Sequence, residues 1–359
     1  MIDAAPLAPL TTLELGGPAR HLVEPRTRDQ VLASVAWAKA RGAALLVLGG
    51  GSNVVISDAG FDGLVLRTGA VRGRRFEPED QHMLVHAAAG EPWDPLVADV
   101  VARGWAGVEC LSGIPGLVGA TPIQNVGAYG QEVADTIRTV TALDRATGQV
   151  VQLDADACDF AYRDSMFKRR PDAYVILEVT FALLPGGAPR VRYQELAAEL
   201  DARLAGRAPS VADVSETVRA LRRRKSMLLD RGDPNHRSVG SFFTNPVLSA
   251  AAAGAVVARA VASGAAATTT DIPQFPAAGG REIKLSAAWL IEHTGFVKGF
   301  RRGAVGLSTN HALALVHHGG GTTAELLALA HDIQQAVQSR FGVPLTYEPV
   351  LVPLPPQQW

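Results

Sequence analysis

The chain has 359 residues, a formal net charge of -1 and two cysteines. That length exceeds one compact core and implies two or three closely packed domains. The near-zero charge excludes a general pull toward nucleic acid or anionic membrane, and two cysteines exclude a disulfide framework.

Met1 to Pro6 carries neither a basic region nor an apolar stretch of signal-peptide type. With the low cysteine count, this sets the expectation of a cytoplasmic protein. From Leu13 to Leu66 a small α/β unit is predicted. Gln30 to Arg41 places Val31, Val35 and Ala38 at helical spacing, and Gly42 can end that helix. Ala44 to Leu48 reads as a buried strand, followed by Gly49-Gly50-Gly51-Ser52-Asn53 and a second apolar run, Val54 to Ile56. Strands are then predicted at Met83–Ala89, Thr139–Asp144 and Ala173–Leu184, with a turn-dense stretch from Gly107 to Gly130. A third region runs from about Asp230 to Phe341. Its last helix opens on a Thr322/Glu325 capping box and carries Leu326, Leu329, Ile333, Val337 and Phe341 as one stripe. Gly342 and Pro344 stop it, and Leu345 to Leu354 is predicted as a final strand. The apolar run from Leu248 to Ala267 is mostly alanine and has Arg259 at its middle, which suits a soluble helix better than a membrane span.

Several segments offer chemistry. Gly49 to Asn53 lacks the Gly-Lys-Ser/Thr of a P-loop and the third glycine of a dinucleotide fingerprint. It reads either as a plain glycine turn or as a nest of backbone amides for an anion, with Ser52 and Asn53 as added donors. Gly113 to Gly130 reads either as an irregular loop or as a thin backbone wall against a large flat ligand, with Gln124 and Asn125 offering amides. Arg163, in Tyr162-Arg163-Asp164-Ser165-Met166-Phe167-Lys168, suits a carboxylate clamp or an ordinary salt bridge. Ser241, in Gly240-Ser241-Phe242-Phe243-Thr244-Asn245-Pro246, suits a small proton donor or a turn serine. Glu348, in Thr346-Tyr347-Glu348-Pro349, is a carboxylate in an apolar strand, facing either solvent or a site. Arg222, Arg223, Arg224 and Lys225 form a basic run, either a solvated helix face or a grip for a polyanion. Cys110 and Cys158 have no partners at metal-ligand spacing, so no metal site is expected.

Taken in order, Leu15-Gly16-Gly17-Pro18-Ala19, the Gly49–Asn53 turn, the Ser112–Gly130 segment and the Arg163, Ser241 and Glu348 motifs resemble the UDP-N-acetylenolpyruvoylglucosamine reductase family over nearly the whole chain. The resemblance implies an α+β protein: a two-subdomain FAD-binding fold of the vanillyl-alcohol-oxidase-like kind, with a C-terminal α/β substrate-binding domain. It divides the chain into 1–70 with 345–359 (FAD pyrophosphate side), 71–228 (isoalloxazine side) and 229–344 (substrate). It implies non-covalent FAD held by Gly49, Gly50, Gly51, Ser52 and Asn53 and by Ser112, Ile114, Pro115, Gly116, Gly119, Ala120, Gln124, Asn125, Gly127 and Tyr129.

The implied reaction belongs to peptidoglycan precursor synthesis. A hydride passes from NADPH to FAD N5 and on to the enolpyruvyl C3. Ser241 gives a proton to C2, and Arg163 and Glu348 stabilise the enolate-like intermediate. Tyr162, Tyr193, Lys225, Asn245 and His311 are the implied substrate contacts, with Tyr193 closing over the substrate as in the family's longer subtype; a monomer is expected. Thr11 and Thr244 depart from the pattern, standing where asparagine and lysine are common. An oxidase on the same scaffold, or a nucleotide-sugar binding protein without catalysis, are the competing readings. The absence of histidine between Val23 and Gln81 leaves a covalent flavin tether of the oxidase kind unsupported.

Overall fold

The computed structural model describes residues 1–277 and 281–353. The chain forms two compact units: Met1–Ala5, Pro18–Gly51 and Phe61–Leu229 in the first, Pro6–Gly17, Ser52–Gly60 and Asp230–Trp359 in the second.

In the first unit, Phe61–Arg67 lies between Pro18–Val23 and Ala44–Leu48, parallel to both. The central strand is buried on both faces from Gly63 to Leu66, as parallel strands commonly are, while its two neighbours alternate between buried and exposed residues. Helix Arg28–Ala40 supplies one cover: Thr27 accepts from Gln30 N at its start, and Val31, Val35 and Ala38 are buried. They share a cluster with Leu45, Leu64, Leu66, Leu143, Val175 and Leu177. A second sheet is antiparallel, with strands ordered Val150–Asp154, Ile137–Asp144, Tyr174–Pro185, His82–Ala88 and Arg74–Glu79. Alternation on its long strand turns Val179, Phe181 and Leu183 toward Trp93, Leu96, Val97 and Val100 of helix Trp93–Ala102. Two helices, Gln194–Leu204 and Val211–Arg224, pack through Leu196, Leu200, Val214, Val218 and Leu221 with Cys110.

The second unit holds a four-stranded sheet ordered Ser238–Ser241, Ala314–His317, Val305–Leu307 and Arg301–Arg302, and a three-stranded one. Helix Thr323–Phe341 fills its core with Leu326, Leu329, Ile333, Val337 and Phe341. The reciprocal Thr322/Glu325 box caps that helix, and Gly342 ends it at φ 73°. Both features match the sequence expectation. The alanine-rich run is helix Ala250–Ala262, capped by Ser249. Among the described residues no helix is long and apolar enough to cross a membrane.

Two expectations need correction. The final strand is only Val350–Val352, parallel to Val54–Ile56, and Leu354 lies outside the described residues. Pro349 has no amide for a ladder, and the amides around it find partners elsewhere. Residues 345–353 and 52–60 also group with the second unit, whereas the sequence reading placed both with 1–70. The Val54–Ile56 pairing and the burial of Leu345 in the second unit's core account for the grouping.

Removing the cap by Thr322→Ala should lower stability by about 1 kcal/mol in chemical denaturation. An unchanged midpoint would show that the box carries no weight in this helix.

Candidate active site

In the second unit, Ser241 ends the strand that pairs with Ala314–His317, past an irregularity between Ser238 and Ser241. Gly240 takes φ 75° there, a conformation that costs a glycine little. Phe242 and Phe243 follow, both fully buried. Their rings lie 5.6 Å from each other and 5.6 Å each from the Tyr347 ring. The backbone reinforces this cluster. Phe242 N donates to Leu313 O at 2.7 Å, Glu348 N donates to Phe242 O at 3.0 Å, and Thr244 N donates to Thr346 O at 3.0 Å.

Ser241 and Glu348, far apart in sequence, are therefore carried by two segments clamped together. Asn53 joins them: its Nδ2 donates to Glu348 O at 3.4 Å, and its carbonyl accepts from Val350 N at 3.0 Å. His311 lies on the turn just before Ala314, the register partner of Ser241. Asn245 accepts from Ala287 N at 2.9 Å through Oδ1 and so helps to start helix Ala287–Glu292, leaving its NH₂ as the donor end. Thr244, where a lysine was the common residue, is occupied with the Thr346 backbone.

In the first unit the two glycine segments meet. A Cβ on Gly50 would lie 2.9 Å from Gly116 Cα, so two backbones approach as closely as glycine allows. Gly51, at φ 66°, turns the chain. A Cβ on Gly119 would lie 2.5 Å from Ala89 Cβ. The amides of Gly119 and Ala120 donate inward, to Ala89 O and Leu117 O. Ser112 is buried and bonds Glu109 O and the Ser215 hydroxyl, both at 2.8 Å. Asn125 is buried too: Nδ2 donates to Glu132 Oε2 at 2.7 Å and Ala161 O at 3.0 Å, while Oδ1 accepts from Ala134 N. The side chains of Ser112 and Asn125 thus hold the segment in shape, and what it presents to a ligand is curved backbone.

Arg163 belongs to the same construction. Its loop is tied to the glycine segment by Ser165 Oγ donating to Ile123 O at 2.6 Å and by the Asn125–Ala161 bond. Arg163 itself, at φ 54°, donates from Nη2 to Gly127 O at 2.7 Å, with its guanidinium 5.4 Å from the Tyr162 ring centroid. A left-handed arginine so firmly tied is the kind of local strain that clusters at functional sites.

Tyr129, Tyr193 and Lys225 also come together. The tyrosine rings stand edge to face at 5.6 Å, and Lys225 Nζ lies 5.9 Å from the Tyr129 centroid. Burial pushes the Tyr129 hydroxyl up to about 12, against the opposing pull of Arg222. The basic run is not one solvated face: Arg224 pairs with Glu199 and Lys225 with Glu195, and Arg219, three residues before the run, pairs with Asp94. Arg222 is buried, donates from Nη2 to Met227 O at 2.6 Å and keeps an unpartnered Nε beside Gly113. Burial lowers its pKa to about 10, so it stays charged near neutrality.

The sequence reading placed Arg222 on a solvated helix face or in a grip for a polyanion, and did not expect it to be buried. Its position four residues after Val218, on the buried helix face, was the available signal. Asp94, which accepts from Gly113 N at 2.6 Å, gave no signal at all.

Bare backbone at Gly50 and Gly116, a glycine-rich wall and a buried cation beside it suit a flavin dinucleotide, which needs close approach and charge for its polar edges. Comparison with known proteins agrees. A family model for the FAD binding domain matches residues 19–154, and one for the UDP-N-acetylenolpyruvoylglucosamine reductase C-terminal domain matches 233–352. The reductase of Thermobifida fusca is 48% identical over 97% of this chain and 96% of its own. That of Saccharopolyspora erythraea is 50% identical over 96% and 94%. The chain belongs to the UDP-N-acetylenolpyruvoylglucosamine reductase family.

The crystal structure of the Thermus caldophilus reductase aligns at TM-score 0.63 and 24% identity over 97% of both chains, which supports the fold. The expected architecture, an FAD-binding domain followed by the reductase C-terminal domain, is the one found. Among the described residues no group of three or more His, Cys, Asp or Glu could hold a metal ion.

Two predictions follow from the packing. Gly50→Ala should lower the flavin content of the purified protein, read as the flavin-to-protein absorbance ratio. Gly254→Ala, in a helix with nothing within 4 Å of the new methyl, should keep full flavin and gain up to about 1 kcal/mol. Full flavin in Gly50→Ala would refute the close-approach account. Burial pushes the thiols of Cys110 and Cys158 up to about 12. Both should therefore resist a thiol reagent at about pH 8 in the folded protein and react on unfolding. Rapid labelling of the native protein would contradict their burial.

Proposed function

We propose that the chain reduces UDP-N-acetylenolpyruvoylglucosamine to UDP-N-acetylmuramate with NADPH. The observation that carries this reading is the Ser241–Glu348 clamp, a hydroxyl and a carboxylate on segments joined by two backbone bonds and three aromatic rings. FAD, when bound, carries the reducing equivalents from NADPH to the enolpyruvyl group.

Each residue's part follows from its chemistry. Electron density delivered at C3 of the enol ether leaves negative charge spread over C2 and the carboxylate. Arg163 supplies a permanent positive charge, and its bond to Gly127 O orients the fork before substrate arrives. Ser241 gives the proton to C2. A serine hydroxyl is a weak acid, so the donation must be concerted with charge build-up, and its alkoxide must be reprotonated, ultimately from solvent. Glu348, held on the same clamp, assists that proton transfer. Gly49 to Asn53 and the 112–129 segment hold the cofactor, chiefly through backbone. Tyr162, Tyr193, Lys225, Asn245 and His311 receive the UDP-sugar, with Lys225 on the diphosphate and Tyr193 closing over it. The enzyme works as a cytoplasmic monomer.

Ser241→Ala separates the two halves of the reaction. NADPH should still bleach the flavin band at the wild-type rate, while recovery of the band on adding substrate slows by about 10²–10⁴-fold. Equal slowing of both phases, in anaerobic stopped-flow absorbance, would remove Ser241 from the proton-donor role.

A further inference from the structure

The two helices of the first unit that bear Tyr193 and Lys225 are joined by a seam of ion pairs. On helix Gln194–Leu204, Glu195, Glu199 and Arg203 recur every four residues and so share one face. Across the seam, Glu195 meets Lys225 at 2.6 Å, Glu199 meets Arg224 through two bonds at 2.8 Å, and Arg203 meets Glu216. Leu196, Leu200, Val214, Val218 and Leu221 hold the helices together along the seam, with Tyr193 and Tyr129 packed against them. The Glu195–Lys225 pair lies at one end. Glu195 is in the first turn, two residues from Tyr193 at the N-cap, and Lys225 is the C-cap of helix Val211–Arg224. Lys225 also lies over Tyr129, whose ring meets that of Tyr193.

We propose that Glu195 is a displaceable counter-ion for Lys225, and that a diphosphate takes its place. This rests on the proposed reading of Lys225 as a diphosphate ligand. A carboxylate at 2.6 Å from that ammonium opposes a second anion there, both by occupying a donor and by repulsion. The pair is partly exposed, with 34% and 39% of the two side chains accessible, so it is weak enough for an incoming polyanion to break. Breaking it removes one polar tie from the start of the Tyr193 helix as the diphosphate arrives, leaving the packing of Leu196 and Tyr193 as the remaining hold. Glu195 is thus a positioning residue that couples ligand arrival to the Tyr193 end of the helix.

The test is calorimetric titration of the FAD-loaded enzyme with UDP, comparing wild type, E195Q, E195D, K225M and E195Q/K225M. E195Q should bind UDP about two- to fivefold more tightly, E195D like wild type, and the double variant like K225M. Unchanged flavin absorbance verifies that each variant is folded. E195Q binding no tighter, or tightening equally without Lys225, would overturn the counter-ion role while leaving Lys225 as a ligand. UDP affinity unaffected by K225M would overturn the diphosphate reading itself, and the proposal with it.

Discussion

The arrangement of the chemistry depends on one contact, the docking of Tyr347 against Phe242 and Phe243. Three rings with centroids 5.6 Å apart, Phe242 and Phe243 fully buried and Tyr347 half-buried, join two segments a hundred residues apart. Aromatic pairs of this kind contribute about 0.5–1.5 kcal/mol each beyond their buried area. Here they also set direction. With Glu348 N bonded to Phe242 O, the segment that carries Glu348 is held one residue from Ser241. Asn53, at the end of the glycine turn, closes the assembly by bonding the Glu348 and Val350 backbones.

The first unit solves a different problem, that of presenting bare backbone without leaving buried amides unsatisfied. Its glycine segment bonds almost entirely inward: Gly113 to Asp94, Gly119 to Ala89, Asn125 to three partners, Ser112 to Ser215. Buried polar groups need such partners. Among the described residues three buried side-chain nitrogens lack such a partner, His86 Nε2, Gln131 Nε2 and Arg222 Nε, the last of them beside Gly113. An unsatisfied buried guanidinium nitrogen costs stability, and such a cost persists where a site uses it.

Much of this was legible beforehand where the cause is local. The Thr322/Glu325 box, the Gly342 stop and the helical stripe between them need only residues within a few positions of one another. The apolar run Ala44 to Leu48 was equally readable as a strand. What escaped depends on distant partners. Glu348 looked like a strand residue because Thr346 to Val350 is mostly apolar, yet its amide answers to Phe242. The basic run read either as a solvated face or as a polyanion grip, whereas Glu199 and Glu195 each claim one of its members and Arg222 is buried. Residues 6–17 and 52–60 join the second unit through pairings that no local pattern announces, such as Val54–Ile56 with Val350–Val352. Asn125 was expected to offer its amide to a ligand, and in the structure that side chain bonds Glu132, Ala161 and Ala134 of its own surroundings.

The most direct test of the account is single-turnover absorbance of the flavin-loaded protein without oxygen, first with NADPH and then with UDP-N-acetylenolpyruvoylglucosamine. The account requires bleaching by the first and full recolouring by the second, with UDP-N-acetylmuramate formed in equal amount. A flavin that bleaches but recolours only when oxygen is admitted would contradict it and point to an oxidase on the same scaffold.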